Sequence, residues 1–403
     1  MSLMPVADAL ERILTGVMPL GAEPVGLRFA LGRTLAQTIS ADITHPPFDA
    51  SAMDGYAVRA DDLKALPASL KVIGESAAGW PFSGTVHFGD AVRIFTGAAV
   101  PPGADAIVIQ EDAVLNGKTV TIASAPPRGD YIRPRGQDFS KGDIVLEQGR
   151  VLNARDVMLA ASSGHGVLNV VKRPIVAILA TGDELVEPTE RLHDGQIISS
   201  NSYGLAALVE TFGGFPKLLG IARDTIDDLA EKIREAESAD ILITTGGASV
   251  GDHDLVRPAL EAEGVTLIFY KIAMRPGKPM FLGTRKGAHG TQRVIGLPGN
   301  PLSAMIGARV FLVPLMHALL GQTTGMQTLT ARLAVSIPAN GPRDHYMRAV
   351  LNRGIDPLHV TPSSNQDSSL VSILAAANCL MLIPANSPAL PVGATVTVMP
   401  LDF

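Results

Sequence analysis

The chain has 403 residues, a net charge of −6 and a single cysteine, with 46% hydrophobic and 18% charged residues. Because single cores stop growing at roughly 250–300 residues, this length predicts several domains. The negative charge disfavours a general nucleic-acid or anionic-membrane surface. The lone Cys379 excludes an internal disulfide and a thiolate metal site made by one chain, and its apolar neighbours predict a buried thiol.

The first residues lack the pattern of a signal peptide, since Glu11 and Arg12 interrupt the first apolar run and no basic segment precedes it. No run approaches the roughly 20 apolar residues of a membrane span. We therefore expect a cytoplasmic protein without a membrane partner.

The first 172 residues predict a helical platform that is interrupted by a β-rich domain. Apolar residues at helical spacing predict helices over 5–20 and 28–40, the first part of the platform (1–40). Short strand candidates at 70–73, 91–95 and 106–109, separated by Gly, Pro and Asp, predict a β-rich domain over 41–140. A helix around 154–163 predicts the second part of the platform, 141–172.

Strands and helices alternate from residue 173 to 325. Strand candidates at 174–179, 217–221, 241–244 and 294–296 are each followed by a helical pattern, which predicts a doubly wound parallel sheet. Asn300 suits a helix N-cap and Pro301 the first helical position. Residues 326–403 return to short strands and predict a small β-barrel or β-sandwich. The fold class is therefore a multidomain α/β protein.

Ligands of open parallel sheets bind beyond the carboxyl ends of the strands, and four loops of this chain leave those ends. In one of them, Gly246, Gly247 and Gly251 would let backbone N–H groups approach an anion such as phosphate, or a pterin. A tight strand-to-helix turn explains the same glycines. The loop lacks the Gly-Lys-Ser/Thr of a nucleotide P-loop.

Charged residues near these loops predict a cation site and an anion site. Glu184, Asp224 and Asp254 follow three different strands, and clustered carboxylates suit Mg²⁺ on a phosphate, although each also suits a helix cap. Arg275 and Lys278 lie in a proline-stiffened segment that suits an oxyanion or, alternatively, an exposed basic turn. The nine histidines are scattered and predict no zinc or iron site.

Six motifs resemble one known family in this order: 51–57, 96–98 with 102–105, 181–185, 246–252, 276–279 and 297–301. Together they make the whole chain similar to bacterial molybdopterin molybdenumtransferase, MoeA, which is related to the E domain of gephyrin. The resemblance implies four domains, an elongated homodimer, and a cleft between the sheet and barrel domains of one subunit and the β-rich domain of the other. The substrates would be molybdate and adenylylated molybdopterin, the products molybdenum cofactor and AMP, and Mg²⁺ would be required.

The resemblance also implies site residues and partners. It implies catalytic roles for Asp54, Glu184, Asp224, Asp254 and Lys271, with Glu184, Asp224 and Asp254 also binding the metal. It implies substrate contacts for Thr96, Arg133, Thr181, Gly182, Gly246, Gly247, Ser249, Pro298, Asn300, Arg275, Lys278, Ser303, Arg348 and Ser368, of which Arg275, Lys278, Ser303, Arg348 and Ser368 would cradle molybdate. Protein partners would be molybdopterin adenylyltransferase and apo-molybdoenzymes.

Two positions depart from the family pattern. Arg275 stands where the family usually has Lys, and Asp367 stands where its Gln-Gly-Ser has Gly, which puts a carboxylate near the molybdate cradle. A molybdopterin adenylyltransferase would share the pterin-binding sheet but lack the β-rich domain and the barrel. A non-catalytic scaffold is the other alternative, and the chain lacks the long linker and fused domain that would favour it.

Overall fold

The computed structural model describes residues 3–247, 255–352, 354 and 357–402, and for residues 269 and 270 it describes the backbone alone. The chain forms two compact units: Pro24–Val170 is one, and the segments before and after it form the other. The strands Ala22–Gly26 and Val167–Val171 contain the points where the chain passes between them.

The unit Pro24–Val170 contains the predicted β-rich sheet. Its strands are hydrogen-bonded in the order Ala106–Ile109, Gly55–Val58, Asp90–Ile94, Ala68–Ser76, Thr119–Ile122 and Ala113–Asn116. Side chains alternate between two faces, so Tyr56 and Val108 lie in one core and Ala57 and Ile107 in another. Shorter strands and turns complete the unit: Ile39–Ser40, Ala50–Ser51, Ile132–Arg133, Ile144–Leu146, and the 3₁₀ turns Leu27–Phe29, Ala60–Leu63 and Gln110–Asp112.

The helix of this unit, Ala154–Ser162, begins where the sequence predicts it. The Asn153 side chain accepts hydrogen bonds from the backbone N–H groups of Arg155 and Asp156, and the Asp156 carboxylate accepts one from Asn153 N–H. This reciprocal capping box fixes the first turn. The helix packs its Ala160 into a small core with Leu35 and Leu168.

The predicted helix over 28–40 is wrong. Gly32 has φ +74°, and the backbone N–H groups that follow donate to distant carbonyls, Leu35 to Arg150 and Ala36 to Asn169. These long-range bonds replace the i→i−4 bonds that a helix needs. The predicted helix over 5–20 is shorter than expected, Val6–Leu14, because Gly16 at φ +69° turns the chain out of it.

The larger unit contains the predicted doubly wound sheet. Four strands run parallel in the order Phe215–Ala222, Ile175–Thr181, Ile241–Thr245 and Gly290–Leu297, and two antiparallel strands, Pro279–Gly287 and Thr266–Lys271, extend the described sheet. The sequence predicted the parallel strands but not these two. Ile178 and Ile243 face a core with the helix Asn201–Thr211, and Leu179 and Leu242 face the helices Ile226–Glu235 and Val256–Ala262. Helices on both faces confirm the fold class.

A long apolar helical stretch lies in the core of this unit. It consists of the helix Pro301–Gly307, a π-helical turn Ala308–Leu312 and the helix Val313–Leu319. By length and composition Pro301–Leu319 could cross a membrane, with a mean hydropathy of 1.6, so the expectation that no such run exists was wrong. Its most apolar window is 83% buried inside the protein, packed with sheet residues such as Ile295.

The C-terminal strands close into the predicted barrel. Its described strands follow one another around the barrel as Asp344–Asn352, His359–Pro362, Leu329–Leu333, Thr395–Pro400 and Cys379–Ile383, which pairs back with the first. Cys379 is fully buried, as predicted. The short strand Met274–Arg275 pairs in parallel with the first barrel strand, so Arg275 lies opposite His345. The remaining elements are the strands Leu185–Val186 and Ile197–Ile198 and the helix Val371–Ala376.

Candidate active site

A cavity of about 680 Å³ opens at the carboxyl ends of the parallel strands of the larger unit. Of the residues that the sequence analysis assigned to the site, seven line it: Thr181, Glu184, Gly246, Gly247, Pro298, Asn300 and Ser303. Its volume falls within the range of small-molecule sites. The strand ends, which the sequence predicts, therefore bring these loops together.

Gly246 lets two of these loops approach each other. It has φ +96°, and a Cβ atom placed there would lie 2.5 Å from the carbonyl oxygen of Thr181 and 2.8 Å from its hydroxyl. Both the left-handed backbone and the close approach require glycine. The close approach of the neighbouring loop is therefore sufficient to require glycine at position 246, as the structural interpretation expected. Gly246 also forms part of the cavity wall.

Carboxylates gather beside the cavity around Glu184. The backbone N–H of Asp224 donates to Oδ1 of Asp183 at 3.2 Å. Burial raises the pKa of the Asp224 carboxyl, and the nearby charges of Asp183 and Glu184 raise it further. Asp183 belongs to the motif 181–185 but had no predicted role. Mutual repulsion of this kind is relieved by a hard cation, so these oxygens suit Mg²⁺.

Two of the predicted residues in this region, Ser249 and Asp254, lie outside the described residues, so the three-carboxylate metal site stays a prediction. Within the ranges that the structure describes, no three His, Cys, Asp or Glu side chains are placed to hold one metal ion together. Gly182 has φ +146°, and a Cβ atom there would lie 2.5 Å from the Glu184 carboxylate, which folds back over it.

The loop before the apolar helix joins the sheet to the barrel. Asn300 is the N-cap residue and Pro301 the first helical residue, as predicted. The Asn300 side chain does not cap the helix, however; its Nδ2 donates to the Ser368 hydroxyl at 3.0 Å. Leu302 N–H donates to the Ser368 carbonyl oxygen. Asn201, which the sequence analysis did not assign to the site, lines the cavity and donates to the carbonyl oxygen of Gly299 at 2.8 Å.

Arg348 is a fully buried cation on the first barrel strand. Its Nη2 donates to the Asn365 carbonyl oxygen at 3.2 Å, while its Nε and Nη1 are buried without a hydrogen-bond partner. Gln366 fixes the adjoining loop, since it accepts from Arg348 N–H and donates to the carbonyl oxygens of Arg348 and Ser363. A buried guanidinium with two unsatisfied donors is expensive unless an anion binds it.

Other cations surround Arg348. Burial lowers the pKa of its guanidinium, with Arg275 adding to the effect and Asp367 opposing it. Burial and the charges of Arg275, Arg348 and Arg343 lower the pKa of His345 to about 4, so this imidazole is neutral at physiological pH. The positive field of the site therefore comes from guanidinium groups.

The Asp367 carboxylate is held within its own loop. Its Oδ1 accepts hydrogen bonds from the N–H and the hydroxyl of Ser369, at 2.9 and 2.8 Å. These bonds lower the pKa of the Asp367 carboxyl, and Arg348 lowers it further. Ser369 itself lines the cavity. The departure from the family pattern thus places a fixed negative charge close to the Arg348 cluster.

Lys271 and Lys278 lie at neighbouring ends of the two antiparallel strands. Lys271 pairs with Pro279, and Ile272 N–H donates to the Lys278 carbonyl oxygen. Neither lysine is among the residues that line the cavity. Their assigned contacts with substrate stay predictions.

The site residues of the smaller unit form two local arrangements. Asp54 Oδ1 accepts from the N–H and the hydroxyl of Thr96 at 2.7 and 2.8 Å, and these bonds lower the pKa of its carboxyl. Arg133 lines a separate cavity of about 550 Å³ with His45 and Asp138. Asp54 and Thr96 therefore form one hydrogen-bonded pair, and their assigned roles in the cleft stay predictions.

Comparison with known proteins identifies the family. Three family models match the chain: the MoeA N-terminal region (domain I and II) over residues 4–164, a probable molybdopterin binding domain over 177–318, and the MoeA C-terminal region (domain IV) over 330–401. A molybdopterin molybdenumtransferase of Nostoc is 35% identical over 94% of this chain and 89% of its own length. The chain belongs to the molybdopterin molybdenumtransferase family.

Further relatives agree over nearly the full length. The molybdopterin molybdenumtransferase of Haemophilus influenzae is 35% identical over 95% of both chains. The crystal structure of a molybdopterin biosynthesis MoeA protein from Pyrococcus horikoshii superposes with a TM-score of 0.85 and 31% identity over 99% of both chains. The resemblance read from the six motifs is confirmed, and the cavity is lined by the part that matches the molybdopterin binding model, apart from Ser369 in the C-terminal region.

Proposed function

We propose that this transferase inserts molybdate into adenylylated molybdopterin and releases molybdenum cofactor and AMP. The observation that carries the proposal is Arg348, a fully buried guanidinium with two unsatisfied donors. Its adjoining loop lines the sheet-end cavity with Ser369 and is bonded to the cavity residue Asn300 through Ser368. Tetrahedral oxyanions are suited to such a fork of donors.

The two parts of the site would hold the two substrates. The cavity of about 680 Å³ would bind the pterin and its pyrophosphate, with the backbone of Gly246 and Gly247 close to the ligand. Molybdate would lie between Arg348, Arg275 and Lys278, with Ser303 and Ser368 beside it. The hydrogen bond between Asn300 and Ser368 connects the cavity wall to the loop beside Arg348.

Glu184 and Asp224 would hold Mg²⁺ together with Asp254, which lies outside the described residues, and Asp183 would add negative charge nearby. The ion would supply charge neutralisation at the pyrophosphate. The residues of the chain would orient the bridge between pterin and AMP and exclude water, so that hydrolysis accompanies transfer of the metal. No side chain needs to form a covalent intermediate, and positioning with fixed charges would carry the catalysis.

The wider organisation follows from the family. We propose a cytoplasmic homodimer in which Asp54, Thr96 and Arg133 of one subunit complete the cleft of the other, with four domains bounded as the sequence predicts. The pterin would come from molybdopterin adenylyltransferase, and apo-molybdoenzymes would receive the cofactor. Neither alternative activity is favoured, because the chain also matches the MoeA N-terminal and C-terminal regions.

The test is release of AMP from adenylylated molybdopterin, measured with and without molybdate and Mg²⁺. We expect release that depends on both and a product that activates an apo-molybdoenzyme. Asp224→Asn should abolish release, while Asp227→Asn, which removes an exposed carboxylate three residues away, should not. Tight binding of the nucleotide without release, or near-normal turnover of Asp224→Asn, would contradict the proposal.

A further inference from the structure

A second cavity, of about 310 Å³, lies at the opposite end of the same sheet. It is lined by the connector of residues 16–21, the hairpin turn of residues 287–291, Asp240, Arg293 and Leu319. Asp240 immediately precedes the strand Ile241–Thr245, so this is the amino-terminal edge of the parallel strands. It shares no lining residue with the candidate active site.

Arg293 is a buried cation on the wall of this cavity. The residue is 9% exposed, and its Nη2 donates to the carbonyl oxygen of Thr15 at 2.8 Å. The described residues give its other guanidinium N–H groups no acceptor and provide no carboxylate as an ion-pair partner, while its backbone N–H donates to the Asp240 carbonyl oxygen. Burial alone lowers the pKa of its guanidinium. Buried charges in proteins are normally paired, so this one lacks a counter-ion.

Two other buried arginines of the unit, Arg285 and Arg309, show a contrast. Arg285 donates to Gln292 and to the Ile233 carbonyl oxygen. Arg309 pairs with Asp402 at 3.1 Å. Neither lines the cavity, and each is held by acceptors within the protein. Arg293 resembles Arg348 in having guanidinium donors without an acceptor among the described residues, but it lines a different cavity.

The walls define what could bind. Val17, Leu20 and Leu319 form an apolar side. On the other side, the Asp240 carboxylate accepts from Ile175 N–H at 2.8 Å, and its neighbouring cations are His289 and Lys172. The cavity therefore offers a guanidinium fork, an apolar wall and a separate polar group, and its volume matches the lower end of small-ligand sites.

We propose that this cavity binds a small organic anion whose carboxylate or phosphate group pairs with Arg293 and whose body packs on the connector. The guanidinium fork matches both groups, and the apolar wall favours a ligand with a body over a bare ion. The connector leads into the strand Ala22–Gly26, where the chain enters the smaller unit. A bound ligand would fix this connector against the sheet.

Thermal unfolding with three probes tests the proposal: benzoate, AMP and inorganic phosphate. Benzoate, AMP or both should raise the midpoint temperature saturably by a few degrees, and the one that binds identifies a carboxylate or a phosphate ester as the preferred group. Phosphate, which has no body, should have a smaller effect. Each titration is repeated in Arg348→Met, which removes the proposed molybdate-binding donors, and the rise should persist there. Because AMP is also the product of the proposed reaction, only the part of its effect that Arg293→Gln removes is assigned to this cavity.

Matched variants separate the cavity from general charge effects. Arg293→Gln and the cavity-filling Thr291→Trp should abolish the rise, whereas Lys286→Gln, which removes an exposed charge on the same hairpin, should retain it. An equal rise in Arg293→Gln, no rise with either organic anion up to tens of millimolar, or a rise with phosphate alone would overturn the proposal. Molybdate-dependent AMP release reports on the active site separately, so failure of one proposal leaves the other distinguishable.

Discussion

Replacing Arg348 by Met separates the anion-binding role of this residue from a structural one. Met has a similar length but no charge. In the wild type, Nε and Nη1 of Arg348 are buried without a hydrogen-bond partner, and the proposed function assigns both donors to molybdate. Charge-assisted hydrogen bonds contribute about 1.5–3 kcal/mol each, so losing two should cost about 3–6 kcal/mol. At about 1.4 kcal/mol per factor of ten, kcat/KM for molybdate should fall by roughly two to four orders of magnitude.

The stability of Arg348→Met should change far less. The substitution leaves the Asn365 carbonyl oxygen without its donor, which costs about 1 kcal/mol, but it also removes a desolvated charge. Replacing buried ionic groups with apolar ones of similar volume is often neutral or stabilising. The free energy of unfolding should therefore stay within about 2 kcal/mol of the wild type.

The assay is AMP release as a function of molybdate concentration, with chemical denaturation of the same samples. Arg332→Met is the matched control, because Arg332 is an exposed barrel arginine that donates to the Gly393 carbonyl oxygen. It should leave kcat/KM unchanged. A value for Arg348→Met within threefold of wild type would refute the reasoning, and a large loss of stability would indicate a structural role instead.

Three further predictions concern the cavity wall and the carboxylates. The raised pKa of Asp224 means that its ionisation opposes folding, so the contribution of this group to stability is fully present below the ordinary carboxyl pKa of about 4 and is lost as pH rises through the folded pKa. Asp224→Asn should therefore be more stable than wild type at pH 7 without Mg²⁺, and denaturation curves of the two at pH 3.5 should nearly coincide. Asp367→Gly removes a fixed negative charge near Arg348 and should lower the KM for molybdate, whereas an unchanged KM would show that Asp367 does not act on the site. Gly246→Ala should destabilise the protein by about 1–3 kcal/mol, measured by denaturation, and weaken pterin binding, measured by fluorescence titration. The control is Gly264→Ala, because Gly264 also has a positive φ, +81°, but open space around it; this variant should retain binding.

Local sequence patterns predicted the parallel strands and the loops that carry the candidate site. Buried apolar runs such as 241–244 and the residues that follow them set the sheet and its carboxyl-end loops, and Thr181 and Gly246 therefore meet as expected. Periodicity failed at 28–40, where backbone hydrogen bonds to residues more than a hundred positions away decide the conformation. Spacing alone cannot show such partners.

Which charged residues are buried was harder to predict from the sequence. Arginine is usually exposed, so nothing in the local sequence marks Arg348 or Arg293 as buried. Arg348 entered the prediction through family resemblance, and Arg293 did not enter at all. Asp183 was overlooked for another reason, because its role depends on the loop conformation that directs its Oδ1 to Asp224 N–H.

The N-terminal helix has a consequence for the order of folding. Val6, Ala9 and Ile13 are buried in one core with Val310 and Leu315, which the ribosome makes only after the whole of Pro24–Val170 and the parallel strands. The smaller unit is continuous and can fold as soon as it emerges, whereas the apolar face of the first helix must wait for its partners. Because synthesis runs from the amino to the carboxyl end, the apolar face of this helix lacks these core partners until residues 310–315 have been made.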